Sequence, residues 1–339
     1  NLLNYLAERN GKTWIEAVRE LSEFANVTIP ASVFLETTEV REAAKKREKT
    51  RTVWQELERY FHYLLLNDES ANAQRTYLKK ERGFTEEDIE FTGFGYYPGK
   101  RRTLAFLQGT AHEKEHIEEV LNAFTADERF NLCIPVSDQL GRTSGFIFRN
   151  TNPQHKGDRY RYTEGFEKSK QLFNYQTSSK QETPLILVEG QIDSKLIESR
   201  GLGRAASING SDLSEEQKEI IFSHGENNII IAFDGDEAGK KATANAVDKL
   251  LTHAKSEQLN ILVAQLPPAF KDPNDLLLAQ GTEALKKVIN EALPLPLWLN
   301  MFIVEDIIGP NAQFFTSAEE EKYIETIAKY AALIKNQLT

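Results

Sequence analysis

Glu189 and Asp193, Asp234 and Asp236, and the acids of the run Asp272-Pro273-Asn274-Asp275 have the side-chain types and the spacing to hold a hard cation. Carboxylates gathered at one place repel one another, and the arrangement is costly unless a divalent ion neutralises them. Mg²⁺ is held through oxygen by a few carboxylates together with substrate phosphates, so the chemistry such a set would serve is phosphoryl transfer. Any one of these acids could equally cap a helix and interact with its dipole. Repetition of the pattern in three places is what favours a metal site over three separate caps.

The elements that must position these acids follow from the residues before them. Leu185-Ile186-Leu187-Val188 is a short apolar run after Pro184 that stops at Gly190, which reads as a buried strand with Glu189 at its carboxyl end. A helix starting at once puts Asp193 one turn beyond Glu189 on the same side. Asn228 to Phe233 is a second buried strand, ending in Asp234-Gly235-Asp236, with Ala238-Gly239-Lys240 opening a helix. Residues i and i+2 of an extended segment point the same way, so Asp234 and Asp236 are expected to converge. Ile261 to Ala264 leads through Leu266-Pro267-Pro268 to Asp272-Pro273-Asn274-Asp275 as a third acidic exit. Strands alternating with helices give an α/β sheet, whose ligands sit outside the carboxyl ends of its strands.

Glu189-Gly190 with Asp193, followed by Asp234-Gly235-Asp236 with Ala238-Gly239, resembles the Toprim signature shared by bacterial-type primases, type IA and II topoisomerases and some nucleases. The wider blocks, Val188 to Asp193, Ala206 to Gly210, Ile231 to Gly239, and Leu266-Pro267 with Asp272 to Asp275, resemble bacterial (DnaG-type) DNA primases in order and spacing. The resemblance implies an RNA polymerase core that makes short RNA primers on single-stranded DNA for replication. It implies Glu189, Asp234 and Asp236 as catalytic residues, with Glu189 as general base or metal-positioning group and the two aspartates holding Mg²⁺ or Mn²⁺. Asp193, Asp272 and Asn274 take outer or second-metal positions, and Asn274 stands where many relatives have aspartate.

The same resemblance orders the rest of the chain. Residues 1–29 resemble the helical tail of an upstream zinc-binding domain whose ligands are absent here, so zinc is expected only outside this chain. Thr13 is placed as an N-cap there, with Val18, Leu21, Phe24 and Val27 at helical spacing. Residues 30–52, crowded with Lys, Arg, Glu and Thr, read as an interdomain linker, helical in part. Residues 53–182 form an α+β N-terminal basic subdomain, 183–278 the Toprim α/β sheet, and 279–339 a C-terminal helical subdomain. A separate helicase-binding domain is expected beyond the C-terminal end. Within 53–182, residues 131–149 read as a hairpin, in which Phe148 stands where the family has glycine.

The formal charge of −10, from 41 Lys and Arg against 51 Asp and Glu, argues against a chain that coats nucleic acid uniformly. Basic residues are instead concentrated between 141 and 180, where Arg142, Arg149, Lys156, Arg159, Arg161, Lys168, Lys170 and Lys180 are interleaved with Tyr160, Tyr162, Phe166, Phe173 and Tyr175. Cations that meet phosphates and rings that stack on bases suit a single strand, although aromatic residues in strands more often fill cores. The family resemblance adds Arg82 to this face. The expected partners are therefore a single-stranded DNA template, ribonucleoside triphosphates and the RNA primer, together with a replicative helicase. The one cysteine, Cys133, excludes an internal disulfide and a cysteine-rich zinc site, and no run is long enough to span a membrane. A cytoplasmic monomer is expected. The rival readings are a Toprim-type nuclease and a non-catalytic single-strand-binding module.

Overall fold

The computed structural model describes residues 7, 9, 11, 12, 14–25, 27, 38–138, 141–175, 183–253, 259–309 and 315–335. Its chain divides into two compact units, one built from Asn1–Tyr77 and Gly93–Phe166, the other from Leu78–Thr92, Glu167–Tyr175 and Ser179–Thr339. Among the described residues no helix is long and apolar enough to cross a membrane.

The first unit begins with helix α1 (Trp14–Ala25), in which Ala17 and Val18 are buried but Phe24 is 90% exposed. Thr13 lies outside the described residues. Helix α2 (Thr38–Asn67) follows, then α3 (Asn72–Arg82), of which the residues from Leu78 onward belong to the second unit together with α4 (Glu86–Thr92). Strand β1 (Gly95–Tyr96), helices α5 (Lys100–Gln108) and α6 (Lys114–Asn122), and strands β2 (Leu132–Ser137), β3 (Thr143–Arg149) and β4 (Tyr160–Tyr162) complete this part of the chain. The strands pair in that order, antiparallel throughout. Residues 38–52, expected as a linker helical in part, are helical throughout and form the first half of α2; residues 30–37 lie outside the described residues. This segment is rich in Ala, Glu, Lys and Arg, which favour helix, and it is tied by Lys46 to Glu115 at 2.7 Å and Lys49 to Glu113 at 2.5 Å. Beyond it, α2 buries Val53, Trp54, Leu57 and Phe61 against Phe146 and Phe148 of β3. Phe148 is fully buried, its ring 4.9 Å from that of Tyr97, so the position where the resemblance expects glycine is filled by core.

The second unit is organised by a five-stranded sheet. Its strands are β5 (Leu185–Val188), β6 (Arg204–Ser207), β7 (Asn228–Ile231), β8 (Asn260–Val263) and β9 (Leu293–Pro294), in the order β6-β5-β7-β8-β9. All neighbours are parallel except β8 and β9. Every residue of β5 is buried, as expected of a strand covered on both faces. The connecting helices are α7 (Gln191–Ser199), α8 (Glu215–Ser223), α9 (Glu237–Leu251), α10 (Pro273–Gln280) and α11 (Thr282–Asn290), and α12 (Leu295–Ile308) and α13 (Ser317–Lys335) follow β9. Leu295, Trp298, Leu299, Ile303 and Tyr330 from the last two helices enter the same core as the sheet. Helical residues expected to form a subdomain of their own thus share the core of the sheet.

Two segments assigned in sequence to the basic subdomain cluster with the sheet unit. Residues 78–92 are held by Arg200, which reaches Asp88 at 2.9 Å and the carbonyl of Gly83 at 2.6 Å. Residues 167–175 are held by a reciprocal backbone pair between Phe173 and Ser207, both bonds 2.9 Å.

Candidate metal centre

The parallel strands deliver their acids where their alternation with helices required. Glu189 follows β5, Asp234 follows β7 with two intervening buried residues, and Asp272 is the N-cap of α10. Asp236 is the N-cap of α9 and accepts the N–H of Gly239 at 2.9 Å. Glycine allows close approach on both sides of this centre. A Cβ at Gly239 would collide with the carbonyl oxygen of Asp234, and one at Gly190 would collide with the carboxylate of Asp193.

The electrostatics tie these acids together. Burial pushes the pKa of Asp234 up to about 7, helped by the charges of Glu189, Asp193 and Asp272 and opposed by that of Lys271. Glu189 is also raised, first by burial, although it accepts the Asp234 N–H at 3.1 Å, which favours its ionised form. Asp236 is lowered, chiefly by the Gly239 N–H and further by Lys271, whose Nζ lies 3.5 Å from its Oδ2. Lys271 is the group that sequence reasoning missed; only its place beside Asp272 could have flagged it.

Asn274 is not gathered with the acids. It is buried at 1% exposure; its Oδ1 accepts from Arg82 at 3.2 Å and its amide donates to the Arg82 carbonyl at 2.7 Å. Both ends of the side chain, and the Arg82 guanidinium with them, are engaged inside the unit, which differs from the outer-ligand and nucleic-acid roles expected of these two residues.

The donor set is all oxygen and strongly acidic, which fits a hard divalent cation such as Mg²⁺. Among the described residues, no three His, Cys, Asp or Glu side chains are arranged to hold a metal ion as they stand. What favours a cation here is the crowding of acidic charge on Asp234, from Glu189, Asp193 and Asp272 and only partly offset by Lys271, while Asp236 is turned to Lys271 and to its own helix.

The basic residues divide into buried, tied and exposed groups. Lys168 and Lys170 are exposed on a short turn, with Lys170 paired to Glu167 at 2.6 Å. That turn is clamped from below: Asn209 donates to the carbonyls of Lys168 and Gln171 at 3.3 and 2.9 Å, and Gln217 donates to the same pair at 3.0 and 2.9 Å. Gln191, at the start of α7, donates to Asn209 at 3.0 Å, and Ser207 Oγ donates to the Glu189 carbonyl at 2.6 Å. A continuous set of bonds thus runs from the Glu189 backbone to the lysine turn. Asn209 has φ +61°, in the left-handed region that asparagine tolerates.

In the other unit, Arg159 is exposed, and Arg161 lies over the ring of Phe130 at 4.7 Å. Arg142 is tied to Asp138 at 2.7 Å. Arg149 differs from expectation: it is buried, lies over the rings of Tyr160 and Tyr77 at 4.7 and 5.4 Å, and donates to the Tyr160 hydroxyl. Phe173 and Tyr175 are core residues, whereas Tyr162 and Phe166 form a half-buried stack with centroids 5.2 Å apart. Lys180 lies outside the described residues.

Comparison with known proteins agrees with this layout. Residues 60–179 match the family described as DNA primase catalytic core, N-terminal domain, and residues 186–277 match the Toprim-like family. A DNA primase of Halalkalibacterium halodurans is 26% identical over 98% of this chain and 59% of its own length. The DNA primase of Escherichia coli K12 is 25% identical over 88% of this chain and 52% of its own length. The chain thus spans little more than half of these relatives. Among solved structures, the Aquifex aeolicus primase, comprising zinc-binding and RNA polymerase domains, superposes with a TM-score of 0.66 at 22% identity over 99% of this chain and 80% of that one. A DnaG primase catalytic domain bound to single-stranded DNA gives 0.62 at 23% identity, over 86% of this chain and 94% of that one. At such identities the superpositions speak for the fold alone, an α/β core. Two family matches in succession, one over the basic segment and one over the acidic strand exits, together with relatives alignable along nearly the whole sequence, show that the chain belongs to the DnaG-type DNA primase family.

Proposed function

We propose that this chain is the RNA polymerase core of a primase, joining ribonucleotides into short primers on a single-stranded DNA template with Mg²⁺ or Mn²⁺. The observation that carries this reading is Asp234, a half-buried carboxylate raised to about 7 by burial and by the surrounding acids at the carboxyl edge of a parallel sheet. Such strained charge is what a phosphoryl-transfer centre holds ready for a cation.

Asp234 and Asp236 would hold the ion, with Glu189 beside them and Asp193 and Asp272 outside. When bound, the ion neutralises charge on the transferred α-phosphoryl group and helps to align the attacking oxygen. The protein's own part is orientation and proton handling. Glu189, fixed by the Asp234 N–H and raised by burial, accepts the proton of the primer 3′-hydroxyl as that oxygen attacks phosphorus and pyrophosphate leaves. No protein nucleophile is required, because positioning and charge compensation carry the reaction. Exposed Lys168, Lys170 and Arg159 are assigned to phosphates of template or nucleotide.

The test is synthesis of labelled RNA by this chain on single-stranded DNA with ribonucleoside triphosphates and Mg²⁺ or Mn²⁺, with Asp236→Asn alongside. Product made by the parent and lost in the variant supports the reading. Degradation of the DNA without RNA product points to a nuclease instead, and binding without either reaction points to a non-catalytic module.

A further inference from the structure

We infer that Lys271 is an internal counter-ion of the acidic centre, an ammonium that competes with the divalent cation and so sets how much free cation the centre requires. This deepens the metal-centre reading and rests on it. The main chain of Lys271 is pinned to the centre, since Gly235 donates its N–H to the Lys271 carbonyl at 2.6 Å, between the two aspartates of the β7 exit. From there Nζ reaches to 3.5 Å from Asp236 Oδ2, and the side chain remains 61% exposed. Its charge acts on Glu189, Asp234 and Asp236 alike. Lys240, also nearby in sequence, is held by Glu305 at 2.7 Å and by Glu237 at 3.2 Å.

An ammonium and a divalent cation cannot both sit against the same carboxylates without repulsion. The exposed, four-carbon stem of lysine lets the ammonium swing away at little cost. Lys271 therefore stabilises the centre while it holds no metal, and yields when a cation of higher charge arrives. At low free cation the lysine wins and the centre stays closed to it.

The experiment is calorimetric titration of the whole chain with Mn²⁺ alone, for the parent, Lys271→Met, Lys271→Arg and Asp236→Asn, together with melting temperatures with and without Mn²⁺. Lys271→Met should bind Mn²⁺ roughly 5- to 10-fold more tightly, the expected size of ammonium–divalent repulsion a few ångströms apart near a salt-screened surface. It should also melt lower than the parent without metal and gain more on adding it. Lys271→Arg should stay near the parent. Unchanged or weaker Mn²⁺ binding by Lys271→Met overturns the inference while leaving the metal centre standing. If the parent shows no Mn²⁺ binding that Asp236→Asn removes, the metal-centre reading fails, and the inference fails with it.

Discussion

The main-chain N–H of Asp234 donates to the carboxylate of Glu189 at 3.1 Å, so the exit of β7 orients the acid at the exit of β5. Glu189→Gln keeps an oxygen to accept that bond while removing the charge and the ability to take up a proton. Without metal, its melting temperature should equal or exceed the parent's, because a buried like charge has been removed. Primer synthesis should fall on the order of 10²- to 10⁴-fold, the usual range for loss of a general base. Calorimetry and a primer-extension assay check the two halves, and parental synthesis would remove Glu189 from the mechanism.

Asp234 predicts a pH signature. Its folded-state pKa, about 7, lies above the unfolded carboxyl value of about 4. Between those values the folded chain holds a proton that the unfolded chain has released, so this residue lowers stability as pH rises through the window. Below about 4 both states are protonated, and above about 7 both are ionised. In chelator, the melting-temperature advantage of Asp234→Asn over the parent should therefore be small near pH 4, grow up to pH 7 and then level off. A constant difference across that range would mean that Asp234 ionises at an ordinary pH.

Close approach at the centre separates two glycines. At Gly239 an added Cβ meets backbone, the Asp234 carbonyl, whereas at Gly190 it meets the end of the Asp193 side chain, which can rotate. Gly239→Ala should cost about 1–3 kcal/mol, the range for forced overpacking, and reduce metal binding with it. Gly190→Ala should cost less and retain the fold. Equal losses in urea unfolding would show that the backbone gives way as easily as the side chain.

The legibility of this protein in its sequence follows from what each segment had to bury. β5, β7 and β8 were readable because strands covered on both faces become unbroken runs of Leu, Ile and Val. β6 was not, since Arg204-Ala205-Ala206-Ser207 has no β-branched residue and is a strand through its pairing with β5. The acids at the strand exits followed from the runs ahead of them. The partners of Lys271, Asn274 and Arg149 could not be read, because each contact joins residues far apart in sequence or side chains whose reach spacing does not fix. In α2, the same Lys, Arg and Glu content suits a solvated linker or a helix, and ion pairs to Glu113 and Glu115, distant in sequence, accompany the helix.

Asn274 supplies a test of position against ligation. Asn274→Ala leaves the Arg82 carbonyl and guanidinium without the amide's two bonds, which should cost about 1–3 kcal/mol for buried polar groups left unsatisfied. Mn²⁺ affinity at moderate temperature should stay within about twofold of the parent, less than 0.5 kcal/mol. Loss of metal binding at intact stability would restore Asn274 as a ligand.

The basic residues should separate in the same way, by burial. For single strands, log affinity falls with log salt by about 0.7 per neutralised phosphate. Arg159 and Lys168 are exposed, so alanine at either should weaken template binding and reduce the slope by up to about 0.7, with little change in melting temperature. Arg149 is sandwiched with Tyr77 and Tyr160 and bonded to the Tyr160 hydroxyl, so Arg149→Ala removes packing along with charge. It should melt lower while the salt slope of the folded protein stays near the parent's. Asn209→Ala provides the remaining comparison, because it keeps every positive charge but removes one of the two side chains that clamp the carbonyls of Lys168 and Gln171, leaving Gln217 alone to hold them. If the lysine turn acts through its position, Asn209→Ala should weaken template or nucleotide binding at unchanged net charge, and Asn209→Asp, which cannot donate to those carbonyls, should not rescue it. Parental affinity and slope in both Lys168→Ala and Asn209→Ala would place the nucleic-acid surface away from this turn.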